Sequence, residues 1–224
     1  MAAARAIAGS PAAAAPPRFV REVLTASDGD VKLLTLAVVR RGGRLLLGRK
    51  KRGFGEGYVN GFGGKVEPGE TIAAAAAREI REECGVTPLG LCQRGILTFA
   101  FDDQPRPWEV HVFTASDFTG EPYETDEMAP EFFEAKLEAI PFDKMWADDR
   151  YWWPLLLRAD EPLFAGLFAF ERTHELRWWR LQEVAALPGP KPLDVLPPAD
   201  GGGSSCDSGG GGGSGGKGSG GAAV

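Results

Sequence analysis

An α/β sandwich is the fold this sequence predicts, and three observations support it. Strand-like runs outnumber helical ones, and the two helical runs interrupt them in a mixed order rather than as a regular βαβ repeat. Apolar residues make up 43% of the 224 positions, enough for one sizeable core. The 31 glycines and 17 prolines are too many for such a core, and most of the excess falls at the two ends, outside the patterned region.

The N-terminal MAAARAIAGSPAAAAPP is rich in Ala and Pro and has no apolar period. Residues 1–29 are therefore expected to be a disordered or targeting extension. The first 21 residues contain Arg5, Arg18 and Arg21 but no acid, a bias of organelle transit peptides. LLTLAVV and RLLLGR read as strands around the turn signal Arg41-Gly42-Gly43. Gly53 to Gly64 is a loop holding six glycines. TIAAAAAREIREEC reads as a helix stopped by Gly85. GILTFAF and EVHVFTASDF read as strands joined by the turn-like DDQPRP. ETDEMAPEFFEA suggests a strand, IPFDKMWADDRYWWPLLLRA a loop and a second helix, and LFAGLFAFE with ELRWWRLQEV the strands that close the sheet. Residues 188–224, Pro-rich and then Gly-rich, have the composition of a disordered tail. One domain, residues 30–187, remains.

Composition also excludes functions. A net charge of −6 argues against a general phosphate-backbone binder, which needs a basic stripe. No nucleic-acid polymer is expected as a partner. No window has the apolar length of a membrane span. Cys84, Cys92 and Cys206 show neither the spacing of a zinc site nor a disulfide framework, which suits a reducing compartment. The expectation is a monomer in the cytoplasm, with nucleus or an organelle as alternatives because of the N-terminal bias.

The chemistry is concentrated in GKVEPGETIAAAAAREIREECGV, residues 64–86. The phosphate-loop pattern fails, since Val66 follows Gly64-Lys65, and G-x-G-x-x-G fits no register of the preceding loop. On a helix Glu79, Glu82 and Glu83 stand at i, i+3 and i+4 and share one face. Their mutual repulsion costs a few tenths of a kcal/mol per pair, roughly, unless a cation sits among them. Hard divalent cations such as Mg²⁺, or Mn²⁺ in its place, take oxygen ligands of this kind. Ile72, Ala76, Ile80 and Cys84 form the adjacent apolar stripe, so the acids border the buried face. Arg78 lies one turn before Glu82 and can hold its carboxylate. Either glutamate alone would read as part of a solvated acidic face.

Gly64, Glu70, Arg78, Glu79, Ile80, Glu82, Glu83, Gly85 and Val86 together match the Nudix box. The chain resembles the Nudix hydrolases, which implies an α/β/α sandwich with a mixed β-sheet that splits a nucleoside diphosphate linked to another group. The resemblance implies Mg²⁺ ions held by box glutamates and a carbonyl of the Gly63-Gly64 turn. Glu82 and Glu83 are the best-supported ligands, and Glu79 and Glu127 are rival candidates for the general base. The regions outside the box resemble the MutT-type branch that hydrolyses oxidised purine nucleoside triphosphates. Carried over position by position, the base pocket is Thr35, Lys50, Phe54, Asn60, Phe99, Met128, Trp146, Asp148 and Asp149.

Each of these has a plainer reading. Asn60-Gly61 is a turn signal, Lys50 belongs to a basic cluster, Phe54, Phe99 and Met128 could be core, and Thr35 a strand residue. Trp152 and Trp153 are assigned to packing. Val59 and Trp108 depart from the pattern, which bears on pocket breadth. A purine stacked on Trp146 would gain on the order of 1–3 kcal/mol. Two adjacent buried carboxylates cannot both ionise easily, so one donates while the other accepts. Such a pair can read the extra N7–H of 8-oxoguanine, and moving its shared proton extends tolerance to 2-oxo- and 8-oxo-dATP. The expected reaction yields the monophosphate and pyrophosphate. Rival readings are a Nudix hydrolase for a dinucleoside polyphosphate, ADP-ribose or capped RNA, and a non-catalytic base-recognition module.

Overall fold

The computed structural model describes residues 5–6, 15–27 and 29–188. The Gly-rich tail, Cys206 and most of the N-terminal extension lie outside them. Nine strands form one mixed sheet. In chain order they are β1 (Arg5–Ala6), β2 (Lys32–Arg41), β3 (Arg44–Lys50), β4 (Val59–Asn60), β5 (Thr87–Phe101), β6 (Trp108–Thr119), β7 (Met128–Glu134), β8 (Leu163–Glu171) and β9 (Glu175–Val184). The order across the sheet is β1-β9-β8-β5-β6-β2-β3-β4, with β7 also on β3. The β2–β6 and β5–β8 pairs are parallel and the rest antiparallel.

Three α-helices flank the sheet: α1 (Arg18–Ala26), α2 (Ile72–Cys84) and α3 (Asp149–Leu156). Strand side chains alternate between faces, and the core divides accordingly. Ala37, Val39, Phe113 and Ala115 pack with Ala76, Ile80 and Cys84 of α2. Val38, Val112, Leu97 and Phe168 pack with Trp152, Trp153, Leu155 and Leu156 of α3. Among the described residues no helix is long and apolar enough to cross a membrane.

Helix α1 places ordered structure at Arg18–Ala26, within the span 1–29 expected to be a disordered or targeting extension. Within that span Val20 is buried, and Phe19 and Leu24 pack beside it on Ala100, Leu167, Ala169 and Trp178. The Ala- and Pro-rich composition hid a short apolar stripe, FVxxVL, which becomes visible only against the sheet face that it covers.

Two local devices place the site. At the β2–β3 turn Gly42 and Gly43 both have positive φ, and Arg41 pairs with Arg44, the geometry of a two-residue hairpin that non-glycine residues resist. Beyond β4 the chain returns along β2, where Ala37 N–H donates to Phe62 O at 2.7 Å and Thr35 N–H to Gly64 O at 2.9 Å. This return lays Gly63 and Gly64 against α2. Thr71 caps that helix by accepting from Ala74 N–H at 3.2 Å, and left-handed Gly85 ends it.

Candidate active site

A cavity of about 480 Å³ opens on the α3 side of the sheet. All nine residues expected in the base pocket line it: Thr35, Lys50, Phe54, Asn60, Phe99, Met128, Trp146, Asp148 and Asp149. Gly63, Gly64 and Glu127 line it too, where it meets α2. Lys50 and Met128 are partners across the β3–β7 ladder, which accounts for their proximity. The Asn60 side-chain oxygen accepts from Gly61 N–H at 2.9 Å. Thr35 is buried, and its hydroxyl has no hydrogen-bond partner among the described residues.

The acids of α2 differ in exposure. Glu83 is 2% exposed, Glu79 is largely buried and Glu82 is open to solvent. Glu83 accepts from Gly63 N–H at 2.8 Å and from Lys50 Nζ at 3.1 Å. Burial, offset chiefly by Lys50, pushes its carboxyl up to about 7. Glu79 is also shifted upward by burial, with Arg78 opposing. Arg78 binds Glu70 at 2.7 Å, Glu79 at 2.9 Å and Glu82 at 3.0 Å, and donates to Lys65 O. Glu127 pairs with Arg52 at 2.5 Å and approaches Lys50 at 3.9 Å.

The shared face expected for Glu79, Glu82 and Glu83 is therefore split. Among the described residues no group of three His, Cys, Asp or Glu side chains is gathered to hold a metal ion. The physical reason is local: Arg78 takes Glu79 and Glu82, while Lys50 takes Glu83. The donor set still suits a hard divalent cation. It is all oxygen, and the buried Glu83 carboxylate gains from any added positive charge. The glycine turn is also closely fitted: a Cβ on Gly63 would overlap the Thr35 carbonyl, and one on Gly64 the Glu79 carboxylate.

The aspartates at the other end of the cavity are 4% and 2% exposed. Asp148 accepts from the Trp152 indole N–H at 2.9 Å. Asp149 accepts from Trp153 Nε1 at 3.1 Å and from Trp146 N–H at 2.8 Å. Burial raises Asp148 to about 6, with the Trp152 bond opposing. Burial, and then the neighbouring Asp148 charge, hold Asp149 well above the ordinary carboxylate range.

The assignment of Trp152 and Trp153 to packing holds, and a second role stands beside it. Both are core residues, but each also donates to an acid, and Trp152 lines the cavity. Their i, i+4 spacing from Asp148 and Asp149 within MWADDRYWW was a usable sign. Phe101 and Phe170 also line the cavity and were not expected there, and Trp108, noted for its bearing on pocket breadth, lines it as well.

The NUDIX domain model matches residues 32–156. The chain is 47% identical over 156 residues to an oxidized purine nucleoside triphosphate hydrolase of Danio rerio, covering 70% of this chain and 97% of the relative. It is 44% identical over 153 residues to the protein of the same name from Mus musculus, covering 68% of this chain and 96% of the relative. The crystal structure of a mutator MutT protein from Bacillus halodurans superposes with a TM-score of 0.59 at 28% identity, over 67% of this chain and 97% of that one.

Proposed function

The chain belongs to the NUDIX family, and from that premise we propose that it hydrolyses oxidised purine nucleoside triphosphates to the monophosphate and pyrophosphate. Cleansing the nucleotide pool is the role that follows. The observation that carries the substrate is the buried Asp148–Asp149 pair, lining an aromatic cavity that Lys50 and Gly63, both hydrogen-bonded to Glu83, also line.

A divalent cation supplies Lewis-acid polarisation of the phosphates and lowers the pKa of the attacking water. Mg²⁺ is the proposed ion, with Mn²⁺ able to replace it. Glu79, Glu82 and Glu83, with the Gly63-Gly64 backbone, are the proposed holders, and Glu127 a further one. Arg78 orients Glu79 and Glu82 through hydrogen bonds and opposes the burial that raises Glu79. Glu79 and Glu127 remain the two candidates for accepting the proton of the water. Lys50, between Glu83 and Glu127, offsets phosphate charge at the junction of the two ends.

At the base end, desolvation favours a proton on the aspartate pair. The protonated member donates to a purine oxygen and the ionised member accepts from N–H. Asn60, with its amide at the cavity wall, offers a donor and an acceptor to the same base. The substrate is a free nucleotide and the proposed form is a monomer.

The test is pyrophosphate release with Mg²⁺ across 8-oxo-dGTP, 2-oxo-dATP, dGTP, a dinucleoside tetraphosphate and ADP-ribose, with Glu83→Gln as control. Preference for the oxidised purines is expected. Turnover of only the last two would remove the oxidised-purine reading, and no turnover at all would leave a binding module.

A further inference from the structure

Trp146 is held between two rings. Phe54 lies parallel to it at 4.8 Å with a 12° tilt, and His174 at 5.2 Å with a 5° tilt. Both rings lie parallel to the indole, Phe54 from within the cavity lining and His174 from outside it. Tyr58 meets the ring edge-on at 4.8 Å. The cavity side of Trp146, where a purine is expected to stack, is thus covered by a phenyl ring that is itself 49% exposed. A base that stacks there must take the place of Phe54. The indole then keeps its plane only if something else holds it.

His174 is built to do so. It opens the second arm of the β8–β9 hairpin, at a turn where Arg172 and Thr173 have φ of 49° and 66°. Left-handed backbone is costly for non-glycine residues, and most of all for a β-branched one. The β5–β6 turn holds the strained residues in place: Arg172 N–H donates to Asp102 at 2.9 Å and the Thr173 hydroxyl to Asp103 at 2.6 Å. His174 N–H closes the turn onto Arg172 O at 2.7 Å. Two loops far apart in sequence therefore fix one exposed imidazole flat against the back of the base-stacking tryptophan.

We propose that His174 is a positioning residue for substrate recognition, which fixes the Trp146 plane from behind while the oxidised base replaces Phe54 in front. The proposal rests on the substrate reading above. It is specific to the ring: stacking, not charge, is what the geometry uses.

The test compares His174→Ala with His174→Phe. Loss of one aromatic pair should raise KM for 8-oxo-dGTP about 3–10-fold in H174A, with a smaller change in kcat, and H174F should restore it. Acrylamide quenching of the Trp146 emission, isolated by subtracting each variant combined with Trp146→Phe, should increase in H174A and return in H174F without nucleotide. An unchanged KM or unchanged quenching in H174A overturns the proposal, as does a KM rise that H174F leaves in place. If the parent chain does not turn over 8-oxo-dGTP, the substrate reading falls, while the quenching series still decides what His174 does.

Discussion

Two sets of carboxylates, one behind the Lys50 and Gly63 wall of the cavity and one lining it, are handled in opposite ways. On α2, Glu79, Glu82 and Glu83 are met by cations, Arg78 and Lys50. On α3, Asp148 and Asp149 are met by neutral donors, two indole N–H groups and one backbone N–H. Burial raises the pKa in both places, but only on α2 does a positive charge oppose it. Cationic partners offset that burial without cancelling it, since Glu83 still rises to about 7, and they bring positive charge to the α2 end. Neutral partners leave a buried acid free to keep its proton, and so to donate a hydrogen bond to a base.

The sharpest way to break this division is Glu83→Gln. It removes the buried member of the α2 set, and kcat should fall about 10²–10³-fold, as on losing one strong electrostatic stabiliser. Folding stability should not fall with it, because a desolvated charge has gone. A steady-state assay beside a melting curve checks both; retained activity would remove Glu83 from the catalytic set.

Next in size is Asp148→Asn, which fixes an amide where a carboxyl can change its proton. The ratio of 8-oxo-dGTP to dGTP turnover should drop about 10-fold, the worth of one hydrogen bond to a charged group. An unchanged ratio would separate the pair from base recognition.

The pH dependence of stability gives a third measure. Asp149 is raised in the folded state above its ordinary 3.8. Its contribution is therefore fully present below the unfolded pKa and is lost as pH rises through the folded one. Asp149→Asn escapes that loss. Its stability relative to the parent should climb with pH, by at most about 1.4 kcal/mol per unit, since one proton is involved. Urea melts at several pH values would show a flat difference if Asp149 were unshifted.

The smallest expected effect is that of Trp152→Phe, which keeps the ring and deletes the N–H bound to Asp148. A cost of about 1 kcal/mol is expected. It should appear as an alkaline shift of the pH profile for 8-oxo-dGTP, because the N–H favours the ionised acid. A profile unmoved by this change would make the Asp148–Trp152 bond irrelevant to protonation.

The sequence by itself determined the α2 helix, its acids and the strands around them. These features are local: a 3.6-residue period, a capping threonine, a terminating glycine and fixed spacing all lie within 23 residues, 64–86. The nine positions carried over by resemblance all line one cavity, and they come from strands, loops and the start of α3. Only the tertiary structure decided how the charges pair. That Arg78 also reaches Glu70, and that Lys50 spans Glu83 and Glu127, depends on which side chains meet in space. Helix α1 and the stacking of His174 on Trp146 belong to the same class. Their partners lie 28 residues or more away along the chain, and local patterning carries no information over that distance.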